Sequence, residues 1–139
     1  MLTSQKQELT RRLTELLAHT IDELSPGNGL PEGFELQLEQ PKQASHGDVA
    51  CTAALQVAKR LGRNPRDIAT RFQQAIDSDP ACRQLVASSA IAGPGFINLT
   101  LTDAARQAVV SAIFAQGPDF GRNTSGQGRQ VLLEFVSAN

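Results

Sequence analysis

Apolar residues recur at helical spacing near the start of the chain. Leu9, Leu13, Leu16, Leu17, Ile21 and Leu24 follow the rhythm of a helix with one buried face. Ser4 with Gln7 three residues on has the form of a capping box. The run Ser25-Pro26-Gly27-Asn28-Gly29 ends the helix. The rhythm then becomes alternation: Phe34, Leu36 and Leu38 point one way, Glu35, Gln37 and Glu39 the other. That is a strand with one wet face, closed by Pro41.

After the turn Ser45-His46-Gly47-Asp48, with Asp48 as N-cap, the stretch from Val49 to Leu61 is apolar on most sides and predicts a well-buried helix ending at Gly62. Asn64-Pro65 opens another, with Pro65 at the first helical position, where its missing N–H costs nothing. Ile68, Phe72, Ala75 and Ile76 form its apolar stripe, and Asp77-Ser78-Asp79-Pro80 stops it. Residues 85 to 92 and 96 to 102 predict two strands joined at Gly93-Pro94-Gly95. Thr102 or Asp103 then caps a last helix whose stripe is Ala105, Val109, Ala112 and Ile113. The order αβααββα, with no βαβ alternation, predicts an α+β fold: two layers, with helices packed on one face of a small, mainly antiparallel sheet. Residues 117–129 are rich in Gly and polar side chains and predict a linker. The apolar, β-favouring run of residues 130–139 predicts the first strand of a further, truncated domain. On this basis residues 1–116 form the N-terminal domain.

Composition narrows the class. A chain of 139 residues supports one domain with a real core. No apolar run approaches the ~18 residues that would cross a membrane, and the polar start is no signal peptide. Cys51 and Cys82 have no framework or metal spacing, and Cys51 reads as a small core residue. A reduced, cytoplasmic setting follows. The net charge is −1, but it is uneven. Lys59, Arg60, Arg63, Arg66 and Arg71 fall within thirteen residues holding a single acid, Asp67. Such a stretch attracts phosphate, or else is a solvated helix surface.

Three places carry candidate chemistry. In a strand starting at Phe96, alternation sends Ile97, Leu99 and Leu101 to the core and leaves Phe96, Asn98 and Thr100 on the other face. A ring can stack on an unstacked base while an amide reads that base's edge. The plainer alternative is that Phe96 covers the Gly-Pro-Gly turn. Gly95, lacking a side chain, would let a ligand approach. Gly47-Asp48 is either a helix N-cap or a pair of backbone donors for a phosphate. Glu134 lies among Val131, Leu132, Leu133, Phe135 and Val136. A carboxylate buried there needs a cation, whereas one on an edge strand faces water.

Three segments, HGDVACTAALQVAKRLGRNPRDIA (46–69), AGPGFINLTL (92–101) and LEFVSAN (133–139), resemble the N-terminal part of arginyl-tRNA synthetases, class I aminoacyl-tRNA synthetases. The likeness runs over nearly the whole chain. It implies that residues 1–116 are the family's additional tRNA-binding domain, which grips the elbow and D-loop, and that residues from Gln130 begin a catalytic Rossmann domain. Gly95, Phe96 and Asn98 would then contact the D-loop, Phe96 stacking and Asn98 reading a base edge, with Lys59, Arg63 and Arg66 as phosphate partners. Glu134, Ser137 and Asn139 would bind L-arginine, Glu134 facing its guanidinium.

The resemblance also implies partners: tRNA(Arg), L-arginine, and ATP with Mg2+ in the full-length enzyme, which would charge tRNA with arginine. The chain itself would bind no cofactor and be inactive alone, since the ATP-binding HIGH and KMSK-type loops are absent. A monomeric state without a membrane partner is expected. The alternative is a standalone RNA- or protein-interaction domain with no enzyme parent.

Overall fold

A computed structural model describes the chain except Lys42, Ser125, Gln127, Val131, Leu133 and residues 135–139, and for Ala44 it describes the backbone alone. The elements run α1 (Thr3–Leu24), β1 (Leu38–Glu39), β2 (Val49–Cys51), α2 (Ala53–Leu61), α3 (Pro65–Ser78), α4 (Pro80–Leu85), β3 (Val86–Ala92), β4 (Phe96–Leu101) and α5 (Asp103–Gln116). Single 3₁₀ turns occupy Ala44–His46 and Gly117–Asp119.

The four strands form one sheet in the order β1-β2-β4-β3, every neighbouring pair antiparallel. The fold is therefore α+β. Helices α2 and α3 lie against β4, α3 also covers β3, and α1 packs on α3 and α4. Leu9, Leu13, Leu17 and Ile21 of α1, Val57 of α2, and Ile68, Phe72 and Ile76 of α3 meet Cys51, Ile97 and Leu99 from the sheet, all essentially solvent-free. Phe72 is the largest of these side chains. Loss of its ring would cost about 3–5 kcal/mol through lost transfer energy and the cavity left behind.

Local chemistry explains most boundaries. Asn64 accepts a hydrogen bond from the Arg66 N–H (2.9 Å) and Pro65 opens α3. Gly62 takes the left-handed conformation (φ 61°) that ends α2. The Thr102 hydroxyl caps α5 by accepting from the Ala105 N–H. Asp79 is 6% exposed and caps α4 through the Cys82 N–H (2.8 Å). The same carboxylate pairs with Arg12 of α1. Arg12 is the chief reason that the Asp79 carboxyl is held down at about 2.

Several expectations are corrected. Helix α1 begins at Thr3, not after Ser4: the Gln5 side chain accepts from the Leu2 N–H (2.9 Å). The strand expected over residues 34–40 keeps only Leu38 and Glu39 in the ladder. Val49 to Cys51 is a strand, not the first turn of a helix, because it pairs on both sides, with β1 and with β4. Helix α4 lies where only a stop was read.

The apolar stripe of α5 is buried only at Ala105. Ile113 is 42% exposed, and its neighbours Val110 and Phe114 are exposed to 53% and 83%. Past its first turns α5 has little beneath it: it touches α4 and the 3₁₀ turn that follows. Of the strand expected over 130–139, the described Gln130, Leu132 and Glu134 are in no strand and are exposed. Among the described residues the sheet holds no partner for them. Ser137 and Asn139 lie outside the described residues.

Candidate nucleic-acid interface

The parity of β4 sets up the candidate site. Ile97, Leu99 and Leu101 point into the core (0%, 0% and 4% exposed). Phe96, Asn98 and Thr100 are therefore on the opposite face, each half-buried. Residues directly opposite across a ladder share a face. Asn98 accordingly stands between Ala50 of β2 and Ala90 of β3, and Phe96 is beside Ala92. A ring and a carboxamide two residues apart, roughly 7 Å along the strand, rise from a floor of methyl groups. The Asn98 amide makes no hydrogen bond among the described residues. An open cavity of about 340 Å³ lies over this floor, lined by Glu39, Gln43, His46, Ala50, Phe96 and Asn98, among others.

The segment leading into β2 walls the cavity and is fixed to β4. Gly47 has φ 90°, and a Cβ there would sit 2.7 Å from the Leu99 carbonyl oxygen. Only glycine lets the chain lie this close in that conformation. The Asp48 N–H donates to the Leu99 carbonyl (2.9 Å). The Asp48 carboxylate accepts from the Leu101 N–H (2.8 Å) and from Arg106 (2.7 Å). Arg106 first, and the Leu101 N–H next, hold that carboxyl below the usual range. Asp48 thus caps no helix. It ties the loop, β4 and α5 together, and its N–H is already engaged.

Gly95 does not serve as ligand clearance. It is buried, and a Cβ there would meet the backbone of Pro65 at 3.0 Å. Its missing side chain admits the start of α3 against the hairpin. Arg66 reinforces that contact by donating to the Gly93 carbonyl (2.7 Å), which keeps its charge at the turn that precedes Phe96.

The other bases separate into different roles. Arg63 donates to the Ser25 hydroxyl (3.1 Å) and to the Leu24 carbonyl, closing the end of α1. Arg71 is paired with Glu23 at 2.8 Å. Lys59 and Arg60 are exposed, with no partner among the described residues. The basic stretch therefore divides into three anchored arginines and two cations left unpaired among the described residues, not one uniform patch. Glu134 is exposed, with no ion pair among the described residues.

Cys51 and Cys82 are buried. Burial is the main cause that raises Cys51 to about 11 and Cys82 to about 12. Neither thiol opens onto the cavity. Among the described residues, no group of three His, Cys, Asp or Glu could hold a metal ion. No described helix is long and apolar enough to cross a membrane. Sequence reasoning missed His46, Ser88 and the loop wall as parts of this face. Thr100, two residues beyond Asn98, already carried the signal of alternation.

The chain is thus an α+β domain whose antiparallel sheet carries helices on one side and keeps Phe96 and Asn98 half-buried on the other. Residues 11–101 match the family described as "Arginyl tRNA synthetase N terminal domain". The chain belongs to that family. An arginine–tRNA ligase from Burkholderia ambifaria is 48% identical over 139 residues, all of this chain and 23% of the relative. One from Herminiimonas arsenicoxydans is 47% identical over the same span. One from Burkholderia thailandensis is 58% identical over 104 residues, 75% of this chain and 18% of that protein. The chain thus spans about a quarter or less of these relatives. The crystal structure of the Plasmodium falciparum arginyl-tRNA synthetase has a similar fold (TM-score 0.53, 14% identity), covering 76% of this chain and 18% of that one.

Proposed function

We propose that this chain is the tRNA-gripping module of an arginine–tRNA ligase, and that it holds a splayed D-loop nucleotide on the outer face of its sheet. The observation that carries this reading is the pairing of Phe96 with an unbonded Asn98 over an alanine floor. The ring supplies a stacking surface, and the amide both donates to and accepts from a base edge. Arg66, at the adjacent turn, and the exposed Lys59 and Arg60 supply the phosphate attraction, which weakens with salt. Arg63 serves mainly to hold α1.

The reading divides the chain into residues 1–116 as this module, 117–129 as linker and 130–139 as the start of the catalytic domain. In the full-length ligase, Glu134, Ser137 and Asn139 would bind L-arginine. The exposed Glu134 suits a guanidinium, whose planar fork a carboxylate meets with two charge-assisted bonds. ATP with Mg2+ would supply the activation chemistry outside this span. The chain alone would form no arginyl-adenylate.

Binding of a tRNA(Arg) transcript by the chain, with Phe96→Ala and Asn98→Ala as variants, tests the reading. Loss of a stacked base costs ~1–3 kcal/mol, about 5- to 150-fold in Kd. Phe96→Ala binding as tightly as the parent would remove the D-loop role.

A further inference from the structure

Two open cavities lie side by side on the outer sheet face and share a wall. The second, about 260 Å³, runs from Asn98 to Thr100 beside Ser45, Gly47, Ser88 and Ala90. His46, Ala92 and Asn98 belong to both cavities. Ala92 is part of the sheet's floor, so His46 and Asn98 form the partition.

The two cavities differ in chemistry. The first has the Phe96 ring and, at its rim, the carboxylate of Glu39. A carboxylate there accepts from a base amino group and repels phosphate. Among the described residues, no acid lines the second. It has instead three hydroxyls, those of Ser45, Ser88 and Thr100, none with a partner among the described residues. Hydroxyls both donate and accept, and so does a ribose 2′-OH. The backbone that follows His46 is held against β4 by the close contact at Gly47 and by the bonds of Asp48 to β4 and α5. A loop backbone anchored this way beside Asn98 loses less freedom when a ligand arrives. The two-residue step from Asn98 to Thr100, roughly 7 Å, sets the offset between the two sites.

We propose that this face takes two consecutive nucleotides. The Phe96 cavity receives a base, and the cavity of Ser88 and Thr100 receives the ribose of its neighbour through the 2′-OH. His46 touches both. The proposal rests on the RNA-binding function above and adds a residue-level means of telling RNA from DNA at the second position.

The test is fluorescence anisotropy of the 139-residue chain with a tRNA(Arg) transcript, and with transcripts carrying one 2′-deoxynucleotide at each D-loop position in turn. Thr100→Val and Ser88→Ala remove hydroxyls with little change of shape, and urea midpoints check their folding. Each is expected to weaken binding about 3- to 10-fold, as is His46→Ala. One deoxy position should weaken binding by a similar factor, and that loss should not add to the Thr100→Val loss. If Phe96→Ala weakens binding while these variants and every deoxy transcript bind like their parents, the second subsite is overturned and the base cavity stands. If Phe96→Ala changes nothing, or the chain fails to bind the transcript, the RNA-binding function fails and the second subsite with it.

Discussion

Replacing Asp79 with Asn isolates one interaction that joins α1 to α4. The Asp79 carboxylate does two things: it accepts from the Cys82 N–H as a helix cap and it pairs with Arg12, 67 residues away in sequence. Asn caps a helix as well as Asp does, so the substitution keeps the first role and removes the second. The folded carboxyl sits at about 2 against an ordinary 3.8. At ~1.4 kcal/mol per pH unit, that lowering corresponds to about 2 kcal/mol, supplied first by Arg12 and partly by the Cys82 N–H, against the cost of burial. The Arg12 side chain is 34% exposed, and solvent screening brings the expectation to about 1–2 kcal/mol.

Because the folded value lies below the unfolded one, this stability is fully present above pH ~4 and is lost as pH falls through ~2. The chain has no Trp or Tyr, so urea unfolding followed by far-ultraviolet circular dichroism is the suitable assay. Asp79→Asn should be less stable by about 1–2 kcal/mol at pH 7. The gap should close between pH ~4 and ~2. Asp79→Ala should lose a further ~1 kcal/mol, with no dependence on pH. An Asp79→Asn variant equal to the parent at pH 7, with a parallel pH profile, would refute the claim that the Arg12 pair stabilises the fold.

Other outcomes follow from the same structure. Gly47→Ala should cost ~2 kcal/mol or more, since a Cβ at φ 90° meets the Leu99 carbonyl at 2.7 Å. Gly27→Ala, at φ 83° but in open space, should cost about 1 kcal/mol. Urea midpoints of the two variants compare them, and equal losses would contradict the close-packing argument. Cys51 and Cys82, 0% and 1% exposed, should resist a thiol reagent at pH ~8 and react only at the rate of unfolding. Rapid labelling without denaturant would show that the core opens. Phe114→Ser, at a position 83% exposed on α5, should leave the stability of the chain in urea within ~0.5 kcal/mol of the parent. A large loss would mean that α5 packs more tightly than the structure shows.

What could be read from the sequence was what short-range pattern determines. The α1 stripe, the Pro65 start, the β3–β4 hairpin and the parity of Phe96, Asn98 and Thr100 all depend on neighbours within a few residues. Val49 to Cys51 did not announce itself as a strand. Three apolar residues continuous with a helix become one only through pairing with Ile97 to Leu99, far along the chain. Asp48 looked like a cap because its true partners, Leu101 and Arg106, are equally remote. Gly95 suggested ligand access for the same reason, since its neighbour Pro65 cannot be seen locally. The α5 stripe showed the opposite failure: the period was right, but Ile113 is left 42% exposed. At the candidate site the strand residues were legible, and the walls contributed by His46 and Ser88 were not, because those walls exist only once the loop lies on β4.

The central claim is that RNA meets the outer face of the sheet. Amide chemical shifts of the isotope-labelled chain, followed during titration with a tRNA(Arg) transcript, test it most directly. The largest changes are expected at Ala50, Ala90, Ala92, Phe96, Asn98 and Thr100, with smaller ones at Lys59 and Arg66. Changes confined to the helical side, with the β4 face silent, would contradict it.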